Sequence, residues 1–254
     1  MLKYIGLFLF LLYCNTATAL SYTIPDTAHC AASPKIVYML SGLGLDPAIF
    51  SALTLETEVH HLHWLTPSRK EKLADYAARI AANIDTSRGK VILIGHSFGG
   101  ITMQEIAKIV PTKKVIIISS IKHQQEKPAT LSFWLKLFPV YKLGGKKVIL
   151  NSFKGWGAKH GYDTPATQAI FRNAVQQHDN YYFKWATQQV CKWKKTGNET
   201  VPLIHIHGTK DKTFPYRKIE SPTYTIDGGT HVMVYNKAAE ISKIINQEIL
   251  DSSK

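Results

Sequence analysis

By type and spacing, the residues of this chain that could act together chemically are Ser97, Asp211 and His231. A serine hydroxyl is a weak nucleophile until a base removes its proton, and a histidine base works best when a carboxylate fixes its tautomer. Ser97 stands in Gly95-His96-Ser97-Phe98-Gly99, a G-x-S-x-G pattern that sets a serine on a tight turn from strand to helix. The glycines let the backbone close into that elbow and leave room beside it. With ordinary residue frequencies the pattern arises by chance in roughly one chain in ten of this length, so its context decides. Before it, Lys90-Val91-Ile92-Leu93-Ile94 is a continuous apolar run of the kind found in strands buried on both faces. After it, Ile101 to Val110 has helical spacing and stops at Pro111. Asp211 follows the strand Val201 to His207 and the turn Gly208-Thr209-Lys210, and His231 follows the last strand in Gly228-Gly229-Thr230-His231.

Other polar residues compete for these roles. Asp227 is the alternative acid, with capping of its own turn as the plainer reading. Asp163 and Asp179 read as solvated. His60, His61 and His63 raise a metal site, but on a strand His61 and His63 share one face while His60 points away. No further ligand follows at suitable spacing, so an ordinary surface strand is expected there. His205 and His207 receive the same reading. Asn198-Glu199-Thr200 fits a glycosylation acceptor, a triplet that is common by chance.

The elements that must position the three residues alternate. Lys35 to Leu40 reads as a strand ending at Ser41-Gly42-Leu43-Gly44, and Asp46-Pro47 then starts a short helix through about Leu53. Val59 to Leu65 is a second strand, Glu71 to Ile84 a helix and Lys114 to Ser119 another buried strand. Residues 122–200 break this rhythm. They hold four of the five tryptophans and amphipathic stretches at Phe133 to Tyr141 and Thr167 to Lys192, and read as a mostly helical insertion. Thr223 to Ile226 and Ala238 to Leu250 close the chain as strand and helix. Strands alternating with helices imply parallel pairing.

Four short blocks, Ser41 to Asp46, Gly95 to Gly100, His207 to Pro215 and Asp227 to Val234, together with the order Ser, Asp, His, resemble the α/β-hydrolase superfamily. The resemblance spans most of residues 35–250. It implies the α/β-hydrolase fold: a mainly parallel central sheet flanked by helices, with a helical cap insertion at about 122–200. It also implies hydrolysis of a carboxylic ester or related acyl bond without cofactor or metal. Ser97 would be the nucleophile, His231 the base and Asp211 its partner. The backbone N–H groups of Leu43 and Phe98 fall where an oxyanion hole belongs. Ser41 stands where many members carry histidine, and the two strands that open the full fold have no counterpart.

The chain has 254 residues, 45% hydrophobic and 19% charged, a globular balance for one domain. A net charge of +13 makes the surface basic. That bears on association, mildly favouring acidic or membrane-associated substrates and leaving open a weak contact with an anionic membrane surface. No nucleic-acid recognition motif accompanies the charge, and the oligomeric state is not encoded legibly. Residues 1–19 have a charged start, an apolar run from Tyr4 to Tyr13 and Ala17-Thr18-Ala19, the form of a secretory signal peptide cleaved near Ala19. Export to a periplasm or medium is expected, with a lipid tether at Cys14 as the alternative. Cys30 and Cys191 would remain, and their spacing does not decide whether they pair. The rival to an enzyme is a non-catalytic binding protein on the same fold.

Overall fold

Side chains that alternate along each strand divide the core into two layers. Tyr38 and Leu40, Leu93, and Val115 and Ile117 point to one face of the sheet, while Val37 and Met39, Ile92 and Ile94, and Ile116 and Ile118 point to the other. Strands buried on both faces must be apolar throughout, which is why these runs lack the polar alternation of a surface strand. The computed structural model describes residues 35–128, 145–195 and 200–251. The signal-peptide segment, Cys30, the Phe133 to Tyr141 stretch and Asn198-Glu199 lie outside the described residues.

Six parallel strands run in the order β2-β1-β3-β4-β5-β6. They are β1 (Ile36–Leu40), β2 (Glu58–His61), β3 (Val91–His96), β4 (Thr112–Ile118), β5 (Leu203–Gly208) and β6 (Tyr224–Ile226). Because β1 pairs with β2 on one side and β3 on the other, the loops leaving β1 and β3 diverge. A crevice at the carboxyl ends of the strands results, the usual ligand position in open α/β sheets. Helices α1 (Leu73–Ala81) and α2 (Phe98–Ile106) contribute to one layer, and α6 (Ala238–Leu250) to the other.

Between β4 and β5 the structure places α3 (Gly145–Trp156), α4 (Pro165–Gln177) and α5 (Asn180–Lys192). Thr164 caps α4 through a reciprocal box with Thr167, and Asp179 caps α5 by accepting from the Tyr182 amide. Asp163 and Asp179 are exposed, as expected. Helix α5 packs into the main core: Trp185 stacks obliquely on Tyr76 at 4.3 Å and donates from Nε1 to Glu71 O at 2.7 Å.

Several boundaries differ from expectation. The turn after Asp46 is a single 3-10 turn, Pro47–Phe50. Strand β2 ends at His61, because the chain leaves the sheet once the Leu62 amide has bonded Met39 O, and Trp64 turns back to Gly42. Helix α2 begins at Phe98, inside the glycine motif. His205 and His207 are not on a surface strand: both are buried, with their rings hydrogen-bonded to Ser120 O and Phe214 O.

Candidate active site

Ser97 lies directly between β3 and α2 with φ 54° and ψ −121°. A non-glycine residue in that region is strained and persists only where its surroundings fix it. Here the Ser97 amide donates to Ile118 O at 2.9 Å, and its carbonyl accepts from the Gly100 amide at 3.0 Å and Ser120 Oγ at 2.7 Å. The flanking glycines permit a close approach. A Cβ on Gly99 would lie 2.2 Å from Leu40 O, and one on Gly95 would lie 2.5 Å from the Gly100 backbone.

The structure brings the three expected side chains together. His231 Nε2 is 2.9 Å from Ser97 Oγ, and His231 Nδ1 is 2.9 Å from Asp211 Oδ2. All three are buried, Ser97 and His231 retaining 8% and 7% exposure at the floor of a cavity. Asp211 Oδ1 accepts from the amides of Thr213 and Phe214 at 2.8 and 2.9 Å. Burial pushes the Asp211 carboxyl up, but His231, His207 and the Phe214 amide outweigh it and hold the group below the ordinary carboxylate range. Asp227 does not reach His231; its Oδ1 accepts from Thr209 Oγ1.

Two histidines missed by sequence reasoning support this arrangement. His96 Nε2 donates to His231 O at 2.9 Å, which fixes the backbone of the base and leaves Nδ1 unpartnered. Burial, reinforced by His231, pushes the His96 imidazole down to about 3, so it is neutral. His207 Nε2 donates to Phe214 O at 2.8 Å and so braces the turn that carries Asp211. With that proton on Nε2, Nδ1 of neutral His207 is an acceptor, and His205 Nε2 lies 3.1 Å from it and 3.1 Å from Ser120 O. The signals in the sequence are the position of His96 inside the serine motif and of His207 at the head of the His207 to Pro215 block.

Leu43 lies in the loop after β1, with Gly42 and Leu43 lining the cavity beside Ser97. Phe98 is the first residue of α2, so its amide has no intrahelical acceptor. The cavity is about 350 Å3 and is walled largely by Leu43, Leu45, Ile149, Trp156, Phe171, Phe183, Val190 and Phe214. None of its described lining residues carries a fixed charge. Of the aromatic residues in the insertion, Trp156, Tyr162, Phe171 and Phe183 line it, whereas Tyr182 and Trp185 are buried in the core. Polar groups from the insertion include His160, whose Nδ1 bonds Thr213 Oγ1 at 2.8 Å. Such a site can generate a buried alkoxide beside free amides, facing an apolar chamber.

The sequence profile of the alpha/beta hydrolase family matches residues 27–243. No curated protein sequence matches the chain. Among solved structures, the fold is similar to a thermophilic esterase from Thermogutta terrifontis, with a TM-score of 0.64 and 15% identity over 87% of this chain and 92% of that one. It is similar to an enol-lactonase from Burkholderia xenovorans LB400, with a TM-score of 0.67 and 13% identity over 87% and 93%. A thioesterase from the prodiginine biosynthetic pathway of Streptomyces coelicolor superposes with a TM-score of 0.54 and 15% identity over 84% and 86%.

Proposed function

Since the chain belongs to the α/β hydrolase family, we propose that it is a serine hydrolase that cleaves an uncharged, apolar carboxylic ester or a related acyl bond. The observation that carries this reading is the unbroken line from Asp211 through His231 to Ser97 Oγ, with both links at 2.9 Å and the serine held in a strained elbow at the cavity floor. In the reaction His231 takes the Ser97 proton as Oγ attacks the carbonyl carbon, and Asp211 steadies the imidazolium. The oxyanion is held by the amides of Leu43 and Phe98, with the N-terminus of α2 favouring the negative charge. His231 returns its proton to the leaving group, and water then releases the acyl-enzyme by the same steps.

The described lining, aromatic-rich and without a fixed charge, favours a neutral substrate over the acidic one that net charge suggested. The insertion between β4 and β5 acts as the cap that closes this chamber. Esterase, lactonase and thioesterase neighbours share the fold at identities of 13–15%, which leaves ester, lactone and thioester all open. The first nineteen residues support export with cleavage near Ala19, which N-terminal sequencing of the secreted protein would establish.

Labelling with a fluorophosphonate probe and turnover of a short-chain aryl ester test the reading. Wild type should label and turn over, and Ser97→Ala should do neither while melting at the wild-type temperature. A folded wild-type protein that is inert to both would hand the lead to a binding protein on this fold.

A further inference from the structure

The loop after β1 is held so that one of its peptide planes has a fixed direction. The Gly42 carbonyl accepts two hydrogen bonds, from Trp64 Nε1 at 2.8 Å and from the Leu45 amide at 3.0 Å. The described peptide bonds are all trans, and in a trans peptide the C=O and the following N–H point in opposite directions. The Leu43 N–H therefore points away from Trp64. Gly42 and Leu43 line the cavity beside Ser97, and Trp64 does not. The same indole lies flat on Phe98, with centroids 5.1 Å apart and planes 8° apart. Two further ties, Ser41 Oγ to Leu45 O and the Gly44 amide to Tyr182 Oη at 3.0 Å, secure the rest of the loop without touching the Gly42–Leu43 peptide.

We propose that Trp64 is the positioning residue of the oxyanion-binding site. Its N–H orients the Leu43 amide, and its ring fixes the residue that carries the second amide, Phe98. It acts through these two groups and meets no substrate. The inference rests on the acyl-transfer reading of Ser97 and says which side chain outside the cavity makes that site competent.

Trp64→Phe keeps an aromatic ring against Phe98 and deletes the N–H. For an aryl ester, kcat should fall on the order of tenfold to a hundredfold with KM within about twofold, because only the transition state places charge on the carbonyl oxygen. Affinity for an alkyl trifluoromethyl ketone, which forms a tetrahedral oxyanion on the serine, should fall by the same factor as kcat/KM. The preference for an ester over its thionoester, whose sulfur accepts hydrogen bonds poorly, should shrink in step. Should W64F not fold, β-(3-benzothienyl)alanine at position 64 exchanges N–H for sulfur within the same ring outline and takes the same measurements. Unchanged kcat and ketone affinity in a folded variant overturn the proposal. So does a loss of kcat with an unchanged thionoester ratio, which would mark Trp64 as packing only. The two failures separate: an inert wild type removes the acyl-transfer reading and this one with it, whereas an active wild type beside an unaffected W64F removes this one alone.

Discussion

The two oxygens of Asp211 have different partners, and that fixes what its amide analogue would do. Oδ1 faces two amide donors and Oδ2 faces His231 Nδ1. In Asp211→Asn the side-chain oxygen must stay with the two amides, so the NH2 turns to His231. Nδ1 is then forced to accept, the ring proton moves to Nε2, and the base has no lone pair for Ser97. We expect kcat for an aryl ester to fall about 10⁴-fold with the fold intact, measured beside a melting curve. A loss below about tenfold would mean that Asp211 does not set the tautomer of His231. The three residues of this line were legible because each sits in a short block with its own turn chemistry. His96, His207 and Trp64 were not, because what gives them meaning lies elsewhere: His231 O is 135 positions from His96, and Gly42 O is 22 positions from Trp64. His207 reads as a surface residue because the apolar-polar alternation of His205-Ile206-His207 resembles that of a half-exposed strand, and what meets that face, Ser120 O and Phe214 O, lies outside the strand.

At the scale of elements, the site depends on how closely β1 and the start of α2 approach. The contact passes through Gly99, where an added Cβ would lie 2.2 Å from Leu40 O and 2.3 Å from Ser41 O. Both are backbone atoms, so nothing can rotate aside. Gly99→Ala must push α2 from the end of β1 and cost about 1–3 kcal/mol of stability, readable from urea unfolding. It should also lower kcat by more than the stability loss explains, since Ser41 begins the loop that carries Leu43. A change under about 0.5 kcal/mol would show that the two elements have slack between them. This contact also explains why α2 starts earlier than its apolar spacing predicts. Apolar spacing pointed to Ile101, but the strain at Ser97 ends the strand and the helix begins at the next residue, across glycines that carry no periodicity. The short β2 has a similar cause: the pattern of 59–65 continues past His61, and Trp64 leaves the sheet for a tertiary partner. The sheet itself was legible, because strands buried on both faces leave continuous apolar runs.

For the whole molecule, the consequence of this design is a stability that depends on pH. His96 and His205 are buried, and in each case burial first, and then a neighbouring histidine, pushes the imidazole down to about 3. His207 is lowered in the same direction by the same burial. An unfolded chain protonates these groups near 6.5, so His96 and His205 bind more protons in the unfolded state than in the folded one between about pH 6.5 and 3, and His207 adds to the same difference. Stability is therefore full above about pH 6.5 and falls as pH decreases, by about 1.4 kcal/mol per pH unit for each histidine that stays neutral. Asp211, held below its ordinary value, adds a loss of the same sign only at the acid end, below about pH 4. The net charge of +13 grows as carboxylates protonate, so repulsion across the surface also destabilises the acid form. Salt separates the two causes, because it screens exposed charges and leaves buried ones largely untouched. Melting temperatures between pH 7.5 and pH 4.5 should fall in high salt nearly as much as in low salt. His205→Gln, which keeps a donor toward Ser120 O but cannot titrate, should be less stable at pH 7.5 and have a shallower slope. A slope that salt abolishes would assign the acid sensitivity to the basic surface, and one that His205→Gln leaves unchanged would place it on groups other than this buried histidine.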